Sequence, residues 1–412
     1  NGKIVSNNNS LPKIAIKSPQ QIKLKALNRT KKIIIISCES LTDPFWLEKV
    51  HSVDLDLKGI KSLADDSIRY TNSFAQQDAT LPFMSTLQTG LYSSQHRLGN
   101  YNIPPHKSQI DINYKTFPKI LKRLGFINTA FTPQGRWDTT YKWARGFDEF
   151  VVTKTAWDRS SPSSGNISRS IQKNSSYDSF MFFHIDRVHQ PILQFVENQS
   201  PNQYNIDYLS EAEQGNWYPA LFYQIKSLDK IVFDIINTLK YEKVYDNSLI
   251  FLTGDHGVAL PPLWVPGLDY ALYDEHIRVP FIVKWPNWNK KSKGLSHKPF
   301  NASTNIFKII LDSLDISLPK YFNSLNQNNI EFDGYAFSET IYHPKKEDYT
   351  LAIMSEKYKY VVSYKIDWRF LKVKEMVNEQ LFEISKDNVM YNENDNVSSN
   401  RKKQKTFNEI SK

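Results

Sequence analysis

The chain has 412 residues and a formal net charge of +9, and its length predicts one large domain with a smaller appendage. Its basic residues are spread along the sequence without a long arginine cluster, which argues against nucleic acid as a partner. The single cysteine, Cys38, excludes an intrachain disulfide framework and any cysteine-based zinc cluster.

The N-terminal part of the sequence predicts a lead-in followed by a buried strand. Residues 1–30 are rich in Asn, Lys, Ser and Gln and show no apolar periodicity, so we expect an extended segment there. Four consecutive β-branched residues, Ile33–Ile36, then predict a buried strand. This strand ends close to Glu39, which places an acid at a strand end.

A polar residue precedes a predicted helix further along. Pro82 suits the first turn of a helix and Gly90 suits its end. Thr80 is therefore expected just before a helix N-terminus, where backbone N–H groups favour a bound anion. The structural alternative for Thr80 is an N-cap hydroxyl.

Strands and helices alternate through most of the chain. The predicted helices span 56–66, 114–124, 220–239 and 305–314, and the predicted strands span 127–131, 179–186, 248–252 and 279–285. This alternation predicts an α/β fold with a mostly parallel, doubly wound sheet flanked by helices.

The pattern changes from about residue 335. Short strands over 349–354, 358–364 and 379–383 follow one another without long helices, which predicts a small antiparallel subdomain. We therefore expect a large α/β domain over 31–334, the antiparallel subdomain over 335–390 and a flexible tail over 391–412.

An Asp–His pair follows the strand predicted over 248–252. In open α/β sheets, ligands bind outside the carboxyl ends of the strands. Asp255 offers a carboxylate oxygen and His256 an imidazole nitrogen, and neighbouring glycines let the two side chains converge on a cation. The dipeptide alone leaves open a polar loop without a ligand.

Six segments, taken in order, resemble the signature segments of the sulfatase branch of the alkaline phosphatase superfamily. They are Thr80–Gly90, Arg145–Phe150, Phe183–Pro191, Tyr245–Gly257, Tyr273–Pro280 and Glu379–Asp387. The resemblance covers about 31–390. It implies an alkaline-phosphatase-like fold and in-line displacement at sulfur or phosphorus through a covalent intermediate.

The resemblance also implies a metal site. Thr80 would be the nucleophile, and Glu39, Thr80, Asp255 and His256 would bind one divalent metal ion. Metal coordination lowers the pKa of a hydroxyl and so activates it. One His with two acids favours Zn or Mn over Ca or Mg. The structural alternative for Glu39 is an acid that caps the next turn.

Two further residues are implied as substrate contacts. His189 would donate to an ester oxygen or protonate the leaving group. Arg136 would hold an anionic oxygen through its planar guanidinium, although it lies two residues beyond the position of the family's Gly-Lys-Trp-His segment. A loop histidine before a proline is the structural alternative for His189.

The chain also departs from the family pattern. Sulfatases proper carry a Cys or Ser that is oxidised to formylglycine, in a motif ending in Arg. Here Thr80 and Met84 occupy those positions, and Cys38-Glu39 replaces an Asp-Asp pair. A Thr nucleophile with one N-terminal Glu is similar to the phosphoethanolamine and phosphoglycerol transferases, which form a phospho-threonine.

The chemistry of release separates the two branches. A formylglycine hydrate expels sulfate by collapsing to the aldehyde. A threonine ester has no such route, so water or a second acceptor must attack it directly.

Three functions follow as alternatives. The first is a metal-dependent hydrolase of sulfate or phosphate esters acting through a covalent Thr80 intermediate. The second is a transferase to a sugar or lipid acceptor, and the third is an inactive homologue that binds an anionic glycan. The expected partner is an anionic ester substrate, and a sugar or a lipid can carry the ester group. The sequence leaves the oligomeric state open.

The compartment depends on what precedes the chain. No stretch approaches the ~20 apolar residues of a membrane span. A preceding signal or anchor would make the protein periplasmic or membrane-associated, and otherwise we expect it in the cytoplasm.

Overall fold

A computed structural model describes residues 3–5, 30–96, 98, 110–133, 142–152, 164–188, 216–258, 272–319, 334–340, 348–367 and 372–384. The strands are β1 Lys3–Val5, β2 Lys32–Cys38, β3 Ile68–Tyr70, β4 Ser73–Phe74, β5 Ile127–Thr132, β6 Glu149–Val152, β7 Ser179–Ile185, β8 Ser248–Gly254, β9 Phe281–Lys284, β10 Gly294–Ser296, β11 Phe300–Asn301, β12 Ala336–Thr340, β13 Asp348–Met354, β14 Tyr358–Asp367 and β15 Lys372–Glu383. The α-helices are α1 Pro44–His51, α2 Lys58–Asp65, α3 Thr80–Thr89, α4 Ser93–His96, α5 Phe117–Arg123, α6 Ser164–Asn174, α7 Tyr218–Tyr241, α8 Asp274–Ile277 and α9 Ala302–Ser313.

A nine-stranded sheet forms the centre of the fold, in the order β1-β6-β5-β7-β2-β8-β9-β3-β10. The first six strands in this order, β1, β6, β5, β7, β2 and β8, pair in parallel. Strand β9 runs antiparallel to both of its neighbours, β8 and β3. The predicted mostly parallel sheet is therefore confirmed. Strand β2 lies between β7 and β8, so the carboxyl ends of these three strands meet at one edge.

Helices cover both faces of this sheet because its central strands are apolar on both sides. Ile34 and Ile36 of β2 pack with α1, α2, α6 and α7 on one face. Ile33 and Ile35 pack with α3, α5 and α9 on the other face. A strand buried on both faces reads as a continuous apolar run, as the Ile33–Ile36 segment does.

A separate four-stranded antiparallel sheet, in the order β12-β13-β14-β15, lies C-terminal to the large sheet. Its apolar face packs against the main body. Ala352 and Phe382 of this sheet share one buried cluster with Phe74 of β4 and Ile277 of α8. The predicted antiparallel C-terminal sheet is confirmed, and the domain boundaries proposed above stay predictions. Within 1–30, the structure describes Lys3–Val5 as a strand paired with β6, and Thr30.

Most predicted elements differ from the observed ones only at their ends. The helix predicted over 114–124 begins at Phe117, and the strand predicted over 379–383 begins seven residues earlier, at Lys372. In the part of the chain that the structure describes, no helix is both long and apolar enough to cross a membrane.

Candidate metal centre

Glu39 and Asp255 directly follow two adjacent strands. The backbone N–H of Glu39 donates to Ile185 O at 2.9 Å, and that of Asp255 donates to Cys38 O at 3.2 Å. These bonds extend the parallel ladders one step beyond β2 and β8. Both acids therefore emerge at the same edge of the sheet, where the sequence predicted a ligand site.

The Thr80 hydroxyl contacts residues from both strand ends. It donates to Glu39 Oε1 at 2.8 Å and lies 3.3 Å from His256 Nε2. Thr80 is the first residue of α3, and Ala79 occupies the N-cap position. The N-cap role considered for Thr80 is therefore filled by another residue, and its hydroxyl points to the acid instead.

Asp255 is fully buried and uses only one of its two oxygens. Oδ1 accepts from the backbone N–H groups of Ser40 and His256, each at 2.8 Å. Oδ2 has no hydrogen-bond partner among the described residues, and His256 Nε2 lies 3.6 Å from it. A buried carboxylate oxygen without a partner is costly, so this atom fits a bound cation.

The orientation of the His256 ring also fits a cation. Nδ1 lies 2.7 Å from Gly257 O, and because a carbonyl only accepts, Nδ1 carries the proton. The lone pair is then on Nε2, which faces Thr80 and Asp255. Imidazoles that bind metals are commonly oriented by such a hydrogen bond on the other nitrogen.

His184 joins this cluster, although the sequence analysis did not single it out. Its Nε2 donates to Glu39 Oε2 at 2.5 Å, and its Nδ1 lies 3.0 Å from Ser37 Oγ. Ligand atoms of Glu39, His184 and Asp255 all lie within 4.8 Å of one another. The sequence contains one signal for His184: it is the single polar residue after Phe180 in the apolar run of β7, one position before the end of the strand.

Asp255, His184 and His256 all have raised pKa values in this cluster. Burial, together with the nearby Glu39, raises the pKa of Asp255. Burial alone would lower the pKa of His184 and His256, but the surrounding carboxylates outweigh it and raise both. Positive charge is therefore favoured at this position, as a cation site requires.

Close packing explains the glycines around the Asp–His pair. A Cβ on Gly254 would lie 2.4 Å from Leu41 O, and one on Gly257 would lie 1.9 Å from Glu275 O. Any side chain would therefore push the loop away from its neighbours. The sequence analysis expected these glycines to serve a turn, and the structure shows that they also allow neighbouring backbone to approach.

Two predicted substrate contacts, Arg136 and His189, lie outside the described residues. Two of the residues that depart from the family pattern are buried: Cys38 is 0% exposed and Met84 is 1% exposed. Burial raises the pKa of the Cys38 thiol well above its usual range, so this thiol is inert.

Two glutamines upstream of Thr80 are further candidates that the sequence analysis missed. Gln76 and Gln77 are 1% and 2% exposed. Neither amide atom of Gln76 has a hydrogen-bond partner among the described residues, and the same holds for Gln77 Nε2. Adjacent glutamines just before the predicted nucleophile were the available signal.

The family is shown by direct comparison. The Sulfatase family model matches residues 31–316. The chain belongs to the sulfatase family. This family lies within the alkaline phosphatase superfamily and generally binds a divalent metal ion, which agrees with the buried cluster of Glu39, His184 and Asp255.

Two curated sulfatases are similar to the chain. The uncharacterized sulfatase YdeN of Escherichia coli is 23% identical over 310 residues, which is 63% of this chain and 53% of the relative. The ulvan-active sulfatase of Formosa agariphila is 21% identical over 360 residues, which is 74% of this chain and 56% of the relative. The chain thus spans about half the length of the curated relatives it matches.

Solved structures show the same fold. A 2-O GAG sulfatase aligns with a TM-score of 0.66 at 16% identity, covering 93% of this chain and 90% of the other. The phosphonate monoester hydrolase of Silicibacter pomeroyi aligns with a TM-score of 0.66 at 14% identity, covering 93% and 94%. Both sulfatases and phosphonate hydrolases therefore share this architecture.

Proposed function

We propose that the protein is a metal-dependent hydrolase of sulfate or phosphate esters that acts through a covalent intermediate on Thr80. One observation carries the proposal: the Thr80 hydroxyl donates to Glu39 Oε1 at 2.8 Å and lies 3.3 Å from Nε2 of His256. Beside it, the buried Oδ2 of Asp255 has no hydrogen-bond partner among the described residues. A nucleophile next to an unsatisfied acid is the arrangement that a metal-assisted displacement needs.

The proposed ligands are Glu39, Thr80, Asp255 and His256, and we propose Zn²⁺ or Mn²⁺ rather than Ca²⁺ or Mg²⁺. An imidazole among oxygen ligands favours the first two ions. His184 then has a different role, because its Nε2 is already directed at Glu39 Oε2. It orients the carboxylate, as hydrogen-bond partners of metal ligands commonly do. A bound divalent cation would supply charge to lower the pKa of the Thr80 hydroxyl and to neutralise the ester oxygens.

The residues of the chain account for the first displacement. The Thr80 proton passes to Glu39 Oε1, which already accepts its hydrogen bond. Thr80 Oγ1 then forms a bond to sulfur or phosphorus while the bond to the substrate alcohol breaks. The departing alcohol oxygen takes a proton, and we propose His189 as its donor. Backbone N–H groups in the first turn of α3 favour the anionic group during this step.

The second step separates sulfate from phosphate chemistry. Water gives a proton to His189 and attacks the Thr80 ester at sulfur or phosphorus, the bond to Oγ1 breaks, and Thr80 takes back its proton from Glu39. Threonine has no aldehyde route for expelling the group, so the step needs an ester that water attacks directly. A phosphonate monoester hydrolase shares this fold, which supports including phosphorus esters among the proposed substrates.

We propose an anionic glycan ester as the substrate class. The names of the ulvan-active and 2-O GAG sulfatases refer to anionic glycans, and this chain carries a net charge of +9. No specific observation favours the transferase or the inactive homologue. Both are outcomes of the test below.

The test is a panel of initial rates. Protein stripped of metal is reloaded with Zn²⁺, Mn²⁺, Ca²⁺ or Mg²⁺ and given matched nitrophenyl sulfate, phosphate monoester, phosphodiester and phosphonate monoester. We expect turnover of at least one ester with Zn²⁺ or Mn²⁺ and little without metal. Turnover that rises with added alcohol would favour the transferase, and stoichiometric metal binding without any turnover would favour the inactive homologue.

A further inference from the structure

The short helix α8 and the residue after it connect the loops that carry the candidate metal centre. Four consecutive carbonyls of this segment each accept a hydrogen bond from elsewhere in the chain. The four bonds are Thr42 Oγ1 to Glu275 O at 2.8 Å, Gly257 N to His276 O at 2.6 Å, Ala75 N to Ile277 O at 2.6 Å and Asp43 N to Arg278 O at 3.0 Å. We call residues 275–278 the carbonyl segment.

The donors to the carbonyl segment come from the three loops beside the proposed ligands. Thr42 lies three residues after Glu39, and Gly257 directly follows His256. Ala75 lies five residues before Thr80. One short segment therefore fixes the positions of all three loops relative to one another.

Thr42 links two of these loops through a single hydroxyl. Its Oγ1 donates to Glu275 O and accepts from the backbone N–H of Val258 at 3.0 Å. The loop after Glu39 and the loop after His256 therefore share this contact with the carbonyl segment.

The carbonyl segment is itself held by a buried ion network. Asp274, the first residue of α8, accepts from Lys359 Nζ at 2.8 Å and from Arg278 Nε and Nη2 at 3.0 and 2.9 Å. The side chains of Asp274 and Lys359 are each 2% exposed. Arg278 reaches on to Asn72 Oδ1 at 2.9 Å, so the network ties both ends of the segment to the fold.

Lys359 brings the C-terminal sheet into this arrangement. It belongs to β14, whereas Asp274 and Arg278 belong to the main body. The same sheet packs on Ile277 of α8 through its apolar face. A four-residue helix has little stability of its own, so its position depends on such tertiary contacts.

We infer that Lys359 is a positioning residue for the metal centre: its ammonium group, reaching from the C-terminal sheet to Asp274, sets the carbonyl segment that holds the loops of Glu39, Thr80 and His256. The inference rests on the proposed function, since it assigns a role toward the metal proposed there. It gives the C-terminal sheet a part in metal binding although none of the proposed ligands lies in that sheet.

The test measures Mn²⁺ binding to metal-free protein by titration calorimetry, with Tm measured in parallel. We expect Lys359→Met to weaken Mn²⁺ binding about ten-fold, comparable to the loss of a group that orients a ligand. Lys359→Arg keeps the positive charge, and we expect it to retain most of the affinity. Lys357→Met, an exposed lysine just before β14, is the matched control and should bind Mn²⁺ as the wild type does.

A second control separates positioning from general loss of stability. Leu381 is fully buried in a cluster with Tyr360 and Val362, which is separate from the cluster that Ile277 of α8 joins. Leu381→Ala should lower Tm at least as much as Lys359→Met while leaving Mn²⁺ affinity unchanged. Equal weakening of Mn²⁺ binding by Leu381→Ala and Lys359→Met would overturn the inference.

Thr42→Val covers the case in which Lys359→Met does not fold. This variant removes the hydroxyl that links Glu275 O and Val258 N and keeps the shape of the side chain. We expect it to weaken Mn²⁺ binding as well, and unchanged affinity would overturn the inference. Wild-type protein that binds no Mn²⁺ or Zn²⁺ would overturn the proposed function and this inference together. Unchanged affinity of folded Lys359→Met would overturn this inference alone.

Discussion

Two buried clusters of charged residues lie close together in this protein, and they differ in how their acids are paired. In the network around Asp274, both carboxylate oxygens accept from Lys359 or Arg278. In the cluster around Asp255, one oxygen accepts two backbone N–H groups and the other has no hydrogen-bond partner among the described residues. Complete pairing is typical of a structural network, whereas an unpaired buried acceptor indicates a position for a ligand.

The pKa values of Asp255 and Asp274 are also shifted in opposite directions. Burial raises the pKa of Asp255, with Glu39 adding to the effect. Burial would raise the pKa of Asp274 as well, but Lys359 and Arg278 outweigh it and hold that pKa below its usual range. Similar burial thus has opposite consequences, because Lys359 and Arg278 form hydrogen bonds to Asp274, whereas the histidines near Asp255 do not outweigh its burial and the charge of Glu39.

The largest expected effect is on the paired acid. Asp274→Asn should destabilise the protein by about 3–5 kcal/mol, because it leaves two buried cations without their counter-charge. Urea unfolding of the metal-free protein measures this change. Asp65→Asn, at an exposed acid, is the control and should stay within about 0.5 kcal/mol of the wild type. A change below about 1 kcal/mol for Asp274→Asn would contradict the structural role given to the network.

His184→Leu removes the hydrogen bond that orients Glu39. We expect Mn²⁺ affinity to fall about 10–100-fold, as for other residues that orient metal ligands. Titration calorimetry on the metal-free variant gives the dissociation constant directly. Unchanged affinity would show that the 2.5 Å contact between His184 and Glu39 has no role in metal binding.

Asp255→Asn should have the opposite sign to Asp274→Asn in metal-free protein. The amide oxygen keeps the bonds from Ser40 and His256, while the unpaired carboxylate charge is removed. We expect stabilisation of about 0.5–2 kcal/mol, the range usual when a functional group under strain is replaced. The same variant should lose metal binding. A clear loss of stability would show that Asp255 is satisfied without a ligand.

The smallest expected effect is a difference in acid sensitivity. Because the folded pKa of Asp274 lies below its unfolded value of about 3.9, its ionised form stabilises the fold fully above that pH. This contribution is lost as the pH falls through the folded pKa. The stability gap between the wild type and Asp274→Asn should therefore narrow below about pH 4. Unfolding midpoints measured from pH 7 to pH 3 check this, and a constant gap would contradict it.

The strands that carry the candidate site were predictable because they are buried on both faces. β2, β7 and β8 are continuous apolar runs, so their positions and the acids at their ends could be read directly. The parallel order followed from the alternation of strands and helices. The family resemblance implied Glu39, Thr80, Asp255 and His256 as metal ligands; the four residues contact one another in the structure, and their role as ligands stays a prediction.

Other parts depend on contacts that no sequence pattern reveals. Helix α8 has only four residues, which is too short for an apolar periodicity that would predict it. Its position is fixed by backbone hydrogen bonds from distant loops. The first seven residues of β15 are exposed and lack apolar alternation, so the prediction began at Glu379 instead of Lys372. His184 was passed over because it lies within an apolar run, and only its 2.5 Å contact with Glu39 reveals a role.

One comparison of rates shows whether Thr80 is the nucleophile of a metal-dependent hydrolase. Thr80→Ala and the wild type, both loaded with the better of Zn²⁺ and Mn²⁺, are assayed on the best ester of the panel. Thr238→Ala, on α7, is the control. We expect kcat to fall by roughly three orders of magnitude or more for Thr80→Ala, as when other catalytic nucleophiles are removed, and to change little for the control. Activity of Thr80→Ala within about ten-fold of the wild type would contradict the covalent mechanism.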